Sequence, residues 1–168
     1  MQDILARFCG RIRRLVVAGA ASAKRPPRVA LHGFPGGAEA FELVARWCYA
    51  DAESGCGGAV TAANACVLRC AAEFLDMAAD APEAASTAAP SLVRMTEKAL
   101  EEMPHWPGHT VVDAVKQCQR LLPLADTTGA FDAAVAALVC HMTVPPPAGD
   151  ATPTSSSPES SAFRFSCD

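Results

Sequence analysis

Cysteines are the residues of this chain with the most varied chemistry, because thiolates bind metals, form disulfides and act as nucleophiles. The 168 residues include eight cysteines, and Cys66 and Cys70 lie four positions apart in a predicted helix. This spacing could turn both thiols toward one metal ion, but structural zinc needs four ligands and no second pair has a suitable spacing. A disulfide framework is typical of small secreted chains, and arginines interrupt any apolar stretch at the N-terminus. We therefore expect reduced, buried thiols and no bound metal.

The histidines and acidic residues do not have the spacing of a catalytic site. His32, His105, His109 and His141 are scattered, and none accompanies the sequence signature of a serine or cysteine nucleophile. Aspartates and glutamates are spread along predicted helix faces, where contact with water explains them. We therefore expect a protein without enzymatic activity.

A glycine-rich turn at 33–37 (GFPGG) precedes a predicted helix. Backbone N–H groups at the start of a helix can hold a phosphate group. The sequence contains neither the dinucleotide-binding nor the phosphate-loop pattern of glycines and lysine. We therefore expect the glycines to turn the backbone sharply into the helix, and we expect no nucleotide or other cofactor.

The elements that carry these residues are mainly helical. Apolar residues recur at helical spacing in six stretches, which predict helices at about 2–17, 38–49, 61–77, 91–103, 110–122 and 129–142. Because Gly10 interrupts the first stretch, residues 2–17 form either one helix or a helical hairpin. Residues 28–31 (RVAL) predict one short strand. The Pro- and Ser-rich tail from Thr143 cannot bury enough apolar surface to become ordered. The fold class predicted from these patterns is mainly α.

Composition predicts a core of modest stability. Hydrophobic residues make up 51% of the chain, but aromatic residues make up only 6%, and alanine buries little area per residue. The central core predicted between the second and third helices consists of Phe41, Val44, Val67, Phe74 and Leu75.

Charge is distributed unevenly along the chain. The net charge is −4, yet seven basic residues and only one acid, Asp3, lie within the first 28 positions. A general nucleic-acid binder usually has an overall basic balance, which this chain lacks. An Arg-rich, acid-poor N-terminus is also typical of organelle transit peptides, so an organelle-targeted helical protein with residues 1–28 cleaved off remains an alternative. No stretch of 18 apolar residues predicts a membrane span.

Four stretches together resemble one protein family. FPGGAEAFELVARWCY at 34–49 and ANACVLRCAAEFLDM at 63–77 resemble consecutive helical segments of plant BTB/POZ proteins of the non-phototropic-hypocotyl-3 type. Residues 111–138 are similar to the helical pair that follows in that family, and residues 3–16 are similar to one of its leucine-rich helices. The resemblance covers about residues 1–142.

The resemblance also implies a domain organisation. Family members begin with a β-hairpin and end in a large C-terminal domain, and neither is found in this sequence. We therefore expect the helical remainder of an α+β BTB/POZ domain at 1–79, a helical extension at 80–142 and a disordered linker at 143–168. This organisation would make the chain a fragment, a truncated gene product or a short paralogue.

The family resemblance implies an adaptor function. Such proteins act as substrate-recognition subunits of cullin-3 ubiquitin ligases, with possible roles in light signalling, and carry no catalytic residues or cofactors. The implied partners are cullin-3 and other BTB copies, with weakened dimerisation and no nucleic acid. Trp47, Tyr49 and Asp51 are expected near the cullin-facing side, although Trp47 and Tyr49 are equally compatible with a place in the core. The expected location is cytoplasmic, with the plasma membrane reached through partners. An inert gene fragment is a further alternative.

Overall fold

The computed structural model describes residues 2–20, 29–54, 60–77 and 91–143. Within these residues lie eight α-helices and one short 3₁₀ helix. They are α1 (Gln2–Phe8), α2 (Gly10–Ala20), α3 (Gly37–Ser54), α4 (Ala65–Phe74), α5 (Leu92–Glu101), the 3₁₀ helix (Met103–His105), α6 (Gly108–Arg120), α7 (Leu124–Thr127) and α8 (Ala130–Thr143). The mainly helical fold predicted from the sequence is confirmed. The predicted tail at 143–168 lies outside the described residues except for Thr143, which ends α8.

The short strand predicted near 28–31 is not found in the described part of that segment. Residues 29–31 form neither a helix nor a β-strand. A β-strand is stabilised by hydrogen bonds to a second strand, and the described residues contain no strand that could supply them. Leu31 packs against the hydrophobic core instead. This part of the prediction was wrong because a short run of apolar residues indicates burial but does not identify what the run packs against.

The glycine turn before α3 has the backbone geometry predicted for it. Gly33, Gly36 and Gly37 all have positive φ angles, of 67°, 76° and 67°, which residues with a Cβ rarely adopt. A Cβ on Gly36 would also lie 2.7 Å from the Ala40 Cβ. The Gly37 N–H donates to the Phe34 carbonyl at 3.0 Å, and the turn thereby leads the chain directly into α3.

The first of two cores joins α1–α5. Its buried members are Cys9, Ile12, Val44, Trp47, Cys48, Leu68, Ala71, Ala72, Leu75, Met77, Leu92 and Val93. Of the predicted central residues, Val44 and Leu75 are fully buried, whereas Phe41, Val67 and Phe74 are half-buried. The Phe34 ring meets the rings of Phe41 and Phe74 edge to face at 5.6 and 5.3 Å, so these aromatics form the margin of this core.

The second core joins α4 to α5–α8 and is made largely of small side chains. Its buried members are Cys66, Cys70, Leu100, Met103, Val111, Ala114, Cys118, Leu121, Ala125, Ala130, Ala134 and Ala137. Helix α4 contributes one face to each core, with Leu68 and Ala71 on one side and Cys66 and Cys70 on the other. The domain boundary predicted between 79 and 80 lies outside the described residues and stays a prediction.

The N-terminal helices are attached to the end of α4 through the backbone. The segment 2–17, predicted as a helix or a helical hairpin, is divided at Gly10, whose N–H donates to the Asp76 carbonyl at 3.1 Å. The next N–H, of Arg11, donates to the Leu75 carbonyl at 3.0 Å. Because α2 begins at this junction, these two N–H groups have no acceptor inside the helix. Carbonyl groups just after α4 accept both hydrogen bonds instead.

Two arginine side chains reinforce this junction. The Arg11 guanidinium lies 4.1 Å from the centre of the Phe74 ring and donates to the Phe74 carbonyl at 3.3 Å. Arg14 pairs with the Asp76 carboxylate at 2.6 Å, with both side chains more than half exposed. Arginines that looked like part of a targeting segment therefore have structural contacts. Since Cys9 and Ile12 also lie in the first core, removal of residues 1–28 would open it.

Replacing Leu75 by alanine tests the face assigned to the end of α4. Leu75 is fully buried in the first core, so we expect Leu75→Ala to lower the free energy of unfolding by about 2–5 kcal/mol. The matched control is Leu43→Ala, because Leu43 lies on α3 with 36% of its surface exposed. Urea denaturation measures both values, and an equal loss in the two variants would contradict the assignment.

Replacing Gly10 by alanine tests the junction between α2 and α4. A Cβ at Gly10 would lie 2.9 Å from the Asp76 carbonyl oxygen and 2.8 Å from its carboxylate, so we expect a loss of about 1–3 kcal/mol. At Gly108 the nearest atom to an added Cβ is His141 Nδ1, at 4.0 Å. Gly108→Ala is therefore the control and should change stability by less than about 0.5 kcal/mol. Thermal unfolding that is the same for both variants would show that the junction has room for a side chain.

Candidate interaction surface

The predicted site residues all lie toward the C-terminal end of α3, in different environments. Trp47 is 4% exposed, and its ring meets the Phe8 ring edge to face at 5.6 Å. Tyr49 is half-buried and has interaction partners. Asp51 belongs to the last turns of α3, and its side chain is outside the described part of the structure. Trp47 is thus a core residue in this structure, and a partner surface at these three positions stays a prediction.

The Trp47 indole carries one polar group into the core. Its Nε1–H is buried and has no hydrogen-bond partner among the described residues. A buried donor of this kind costs free energy relative to an apolar ring of similar shape. The packing of the large ring against Phe8 therefore outweighs this penalty.

Three exposed apolar side chains form a stripe on α8. Val135, Val139 and Met142 follow the spacing i, i+4, i+7 along this helix, and Met142 is 78% exposed. A helix that is apolar on all sides is usually buried on all sides, but half of α8 faces outward here. Leu15 and Val17 of α2 are also exposed, but their spacing of two positions places them on different sides of that helix. An exposed apolar stripe is typical of contacts with another protein.

An open apolar cleft lies beside the beginning of α3. Its volume is about 550 Å³, and its walls include Val29, Leu31, Phe34 and Phe41 together with the glycine turn. Among the residues that the structure describes, its lining contains no charged side chain. These walls are suited to apolar side chains of a ligand.

Three buried thiols meet in the second core. The neighbouring Cys118 thiol and burial both raise the pKa of Cys66. The proximity of Cys66 lowers the pKa of Cys118. Cys70 lies 3.8 Å from the Thr128 hydroxyl, and burial raises its pKa. The sequence pattern selected Cys66 and Cys70, whereas the structure pairs Cys66 with a thiol 52 positions away.

The described residues contain no group of three or more His, Cys, Asp or Glu side chains arranged to hold a metal ion. In the same part of the chain, no helix combines the length and the apolar character needed to cross a membrane. The candidate features among the described residues are thus exposed apolar surfaces and buried thiols.

Comparison with known proteins identifies relatives along nearly the whole chain. A BTB/POZ domain-containing protein of Arabidopsis thaliana is 34% identical over 172 residues, which is 99% of this chain. Another is 35% identical over 117 residues, or 70% of the chain, and the Arabidopsis root phototropism protein 3 is 35% identical over 98 residues, or 58%. The chain belongs to the plant BTB/POZ domain-containing proteins.

The relationship to these BTB/POZ proteins concerns a limited part of each relative. The chain spans 30% of the first relative, 17% of the second and 12% of root phototropism protein 3. No family model matches the chain, and no solved structure matches it. The family assignment therefore rests on the curated relatives, and the activities of the complete proteins come to this chain only as proposals.

Substitutions at Trp47 separate the contribution of ring packing from the cost of the unpartnered N–H in the first core of this BTB/POZ chain. We expect Trp47→Ala to lower the free energy of unfolding by about 3–5 kcal/mol, because a large buried ring is lost. Trp47→Phe keeps a ring against Phe8 and removes the unpartnered N–H, so its cost should stay below about 1.5 kcal/mol. Chemical denaturation provides both values. A Trp47→Ala variant as stable as the parent would mean that the side chain does not occupy the core.

Proposed function

We propose that this chain is a protein-interaction adaptor that presents substrates to a cullin-3 ubiquitin ligase and performs no chemical step itself. The observation that carries the proposal is the 34% identity to a BTB/POZ domain-containing protein over 99% of the chain. The ubiquitin transfer would be performed by other subunits of the ligase. A link to light signalling is supported by the similarity to root phototropism protein 3.

The exposed apolar surfaces support an adaptor. Protein-protein interfaces have an apolar centre enriched in aromatic residues and methionine, and the α8 stripe ends in the exposed Met142. The cleft beside α3 adds a second apolar surface, whose residues are distant in sequence from α8. An adaptor needs at least two such surfaces, because it holds a scaffold and a substrate at the same time.

The proposed partners are a cullin-3 type scaffold and other BTB proteins, including further copies of this chain, with no nucleic acid. The proposed location is the cytoplasm, and the plasma membrane would be reached through partners. Fluorescent fusions of the whole chain would test the location. A fusion of residues 1–28 alone that enters an organelle would favour the targeting alternative, against which the burial of Cys9 and Ile12 argues.

Co-purification tests the adaptor function. The chain is expressed with an N-terminal fragment of cullin-3, with and without a full-length BTB/POZ relative. We expect cullin-3 to be retained, and we expect Asp51→Lys and Tyr49→Ala to reduce retention at least about tenfold, the effect of one well-placed interface residue. Trp47 is unsuitable for this purpose because its substitution would disturb the core.

The matched control is Glu39→Lys, an equivalent charge reversal at an exposed position near the beginning of α3. It should retain cullin-3 as well as the parent does. If neither cullin-3 nor the relative is retained by a folded parent chain, the adaptor function is wrong and an inert product takes its place. Equal loss in Asp51→Lys and Glu39→Lys would move the interface away from the end of α3.

A further inference from the structure

The outward side of α8 carries no Asp, Glu, Lys or Arg in its last nine residues, 135–143. The exposed residues there include Val135, Ala136, Val139, Met142 and Thr143. At about 100° of rotation per residue, these five positions lie within about 120° of the helix circumference. They form one continuous surface, here named the α8 face, which contains the stripe of Val135, Val139 and Met142.

The polar groups near the α8 face do not interrupt it. The Thr143 hydroxyl donates to the Val139 carbonyl at 3.0 Å, so its hydrogen bond is made within the helix. His141 lies toward α6, because a Cβ on Gly108 would be 4.0 Å from its Nδ1. Asp132 is exposed but stands beyond the other end of the face. The α8 face therefore presents apolar atoms to whatever covers it.

The positions of the α8 face are symmetric about Val139. Val135 and Thr143 lie four positions to either side of it, and Ala136 and Met142 lie three positions to either side. In an antiparallel pair of identical helices that cross at Val139, position 139 meets itself, 135 meets 143 and 136 meets 142. Each member of the face thus meets another member, and the large Met142 side chain comes opposite the small Ala136 side chain.

We propose that the α8 face binds a second copy of this chain, whose own α8 packs on it antiparallel with the twofold axis at Val139. A face without charge meets no repulsion from its own copy, and large side chains opposite small ones let two helices interdigitate. Antiparallel packing also brings opposite ends of the two helix dipoles together. A pair of 14-residue helices gives a small contact beside the roughly 1,200–2,000 Å² of stable interfaces, so the dimer is weak.

This inference rests on the association between copies of this chain proposed above and names the surface that carries it. The opposite side of α8, with Ala130, Ala134 and Ala137, is buried in the second core, so the helix can join two chains without leaving its own. The experiments use the purified chain in the absence of cullin-3. A chain that stays monomeric but retains cullin-3 would therefore contradict the α8 contact and leave the adaptor function standing.

Sedimentation equilibrium of the purified chain tests whether a second copy covers the α8 face. We expect the average mass to rise from one chain toward two between about 10 μM and 1 mM, as for a weak interface. Val139→Lys brings two like charges together at the axis and should raise the dissociation constant at least about tenfold. The matched control is Val17→Lys, the same change at a more exposed position on α2, which should leave the dissociation constant unchanged.

Cysteine crosslinking tests the antiparallel arrangement. In a Cys140→Ser background, Val139→Cys should form a disulfide between two chains on mild oxidation, because the two copies of this position meet at the axis. Val135→Cys should not, because its two copies lie about 12 Å apart along the helices, and a disulfide needs Cα atoms within about 7 Å. Trypsin releases both positions in the peptide 121–164, which contains no other cysteine in this background, so mass spectrometry identifies the crosslink.

Four results would overturn the proposal. A parent chain that keeps the mass of one chain up to about 1 mM does not use this surface for a second copy. A dimer that Val139→Lys leaves unchanged is held by another surface. Crosslinking at position 135 as fast as at 139 would mean a parallel pair. A lower Tm of Val139→Lys at concentrations where the parent is monomeric would mean that another segment of the same chain covers the face.

Discussion

Helix α4 has to be buried on opposite faces at once, and the arrangement of the other helices depends on this constraint. Leu68 faces α1–α3, while Cys66 and Cys70 face α6–α8. Helices that pack on one side of α4 cannot bury both of its apolar faces. The N-terminal helices and the C-terminal helices therefore pack on it from two sides. The polar residue Arg69, which lies between these faces, pairs with Glu73 at 3.1 Å on its own helix.

The parts of this structure that the sequence predicted are those governed by local rules. Helical periodicity located α3–α6 and α8, and the glycine turn at 33–37 has the positive φ angles expected of it. Val44 and Leu75 were recognised as core residues because each lies on an apolar side of its own predicted helix. The sequence left open whether residues 2–17 form one helix or a helical hairpin, because the break at Gly10 depends on the Asp76 carbonyl, which is 66 positions away.

The sites were harder to predict for the same reason. Trp47 is an aromatic residue near a helix end, and its type alone does not distinguish an interface anchor from a core residue. Only the position of Phe8 against it decides this. The Cys66–Cys118 contact joins positions 52 apart and follows no spacing rule, whereas the i, i+4 pair of Cys66 and Cys70 attracted attention because such rules exist. Family membership came from the residue pattern as a whole, which physical rules for single elements do not capture.

The second core, built largely of alanine and cysteine, restricts how this sequence can change over evolutionary time. Small side chains let α6 and α8 approach closely, so Ala130, Ala134 and Ala137 leave no space beyond their own methyl groups. Shortening these alanine side chains removes little buried surface. Any larger side chain at these positions would push the two helices apart. Selection at these positions therefore acts against gain of volume, and divergence among relatives should accumulate first at exposed positions outside this core and outside the α8 stripe.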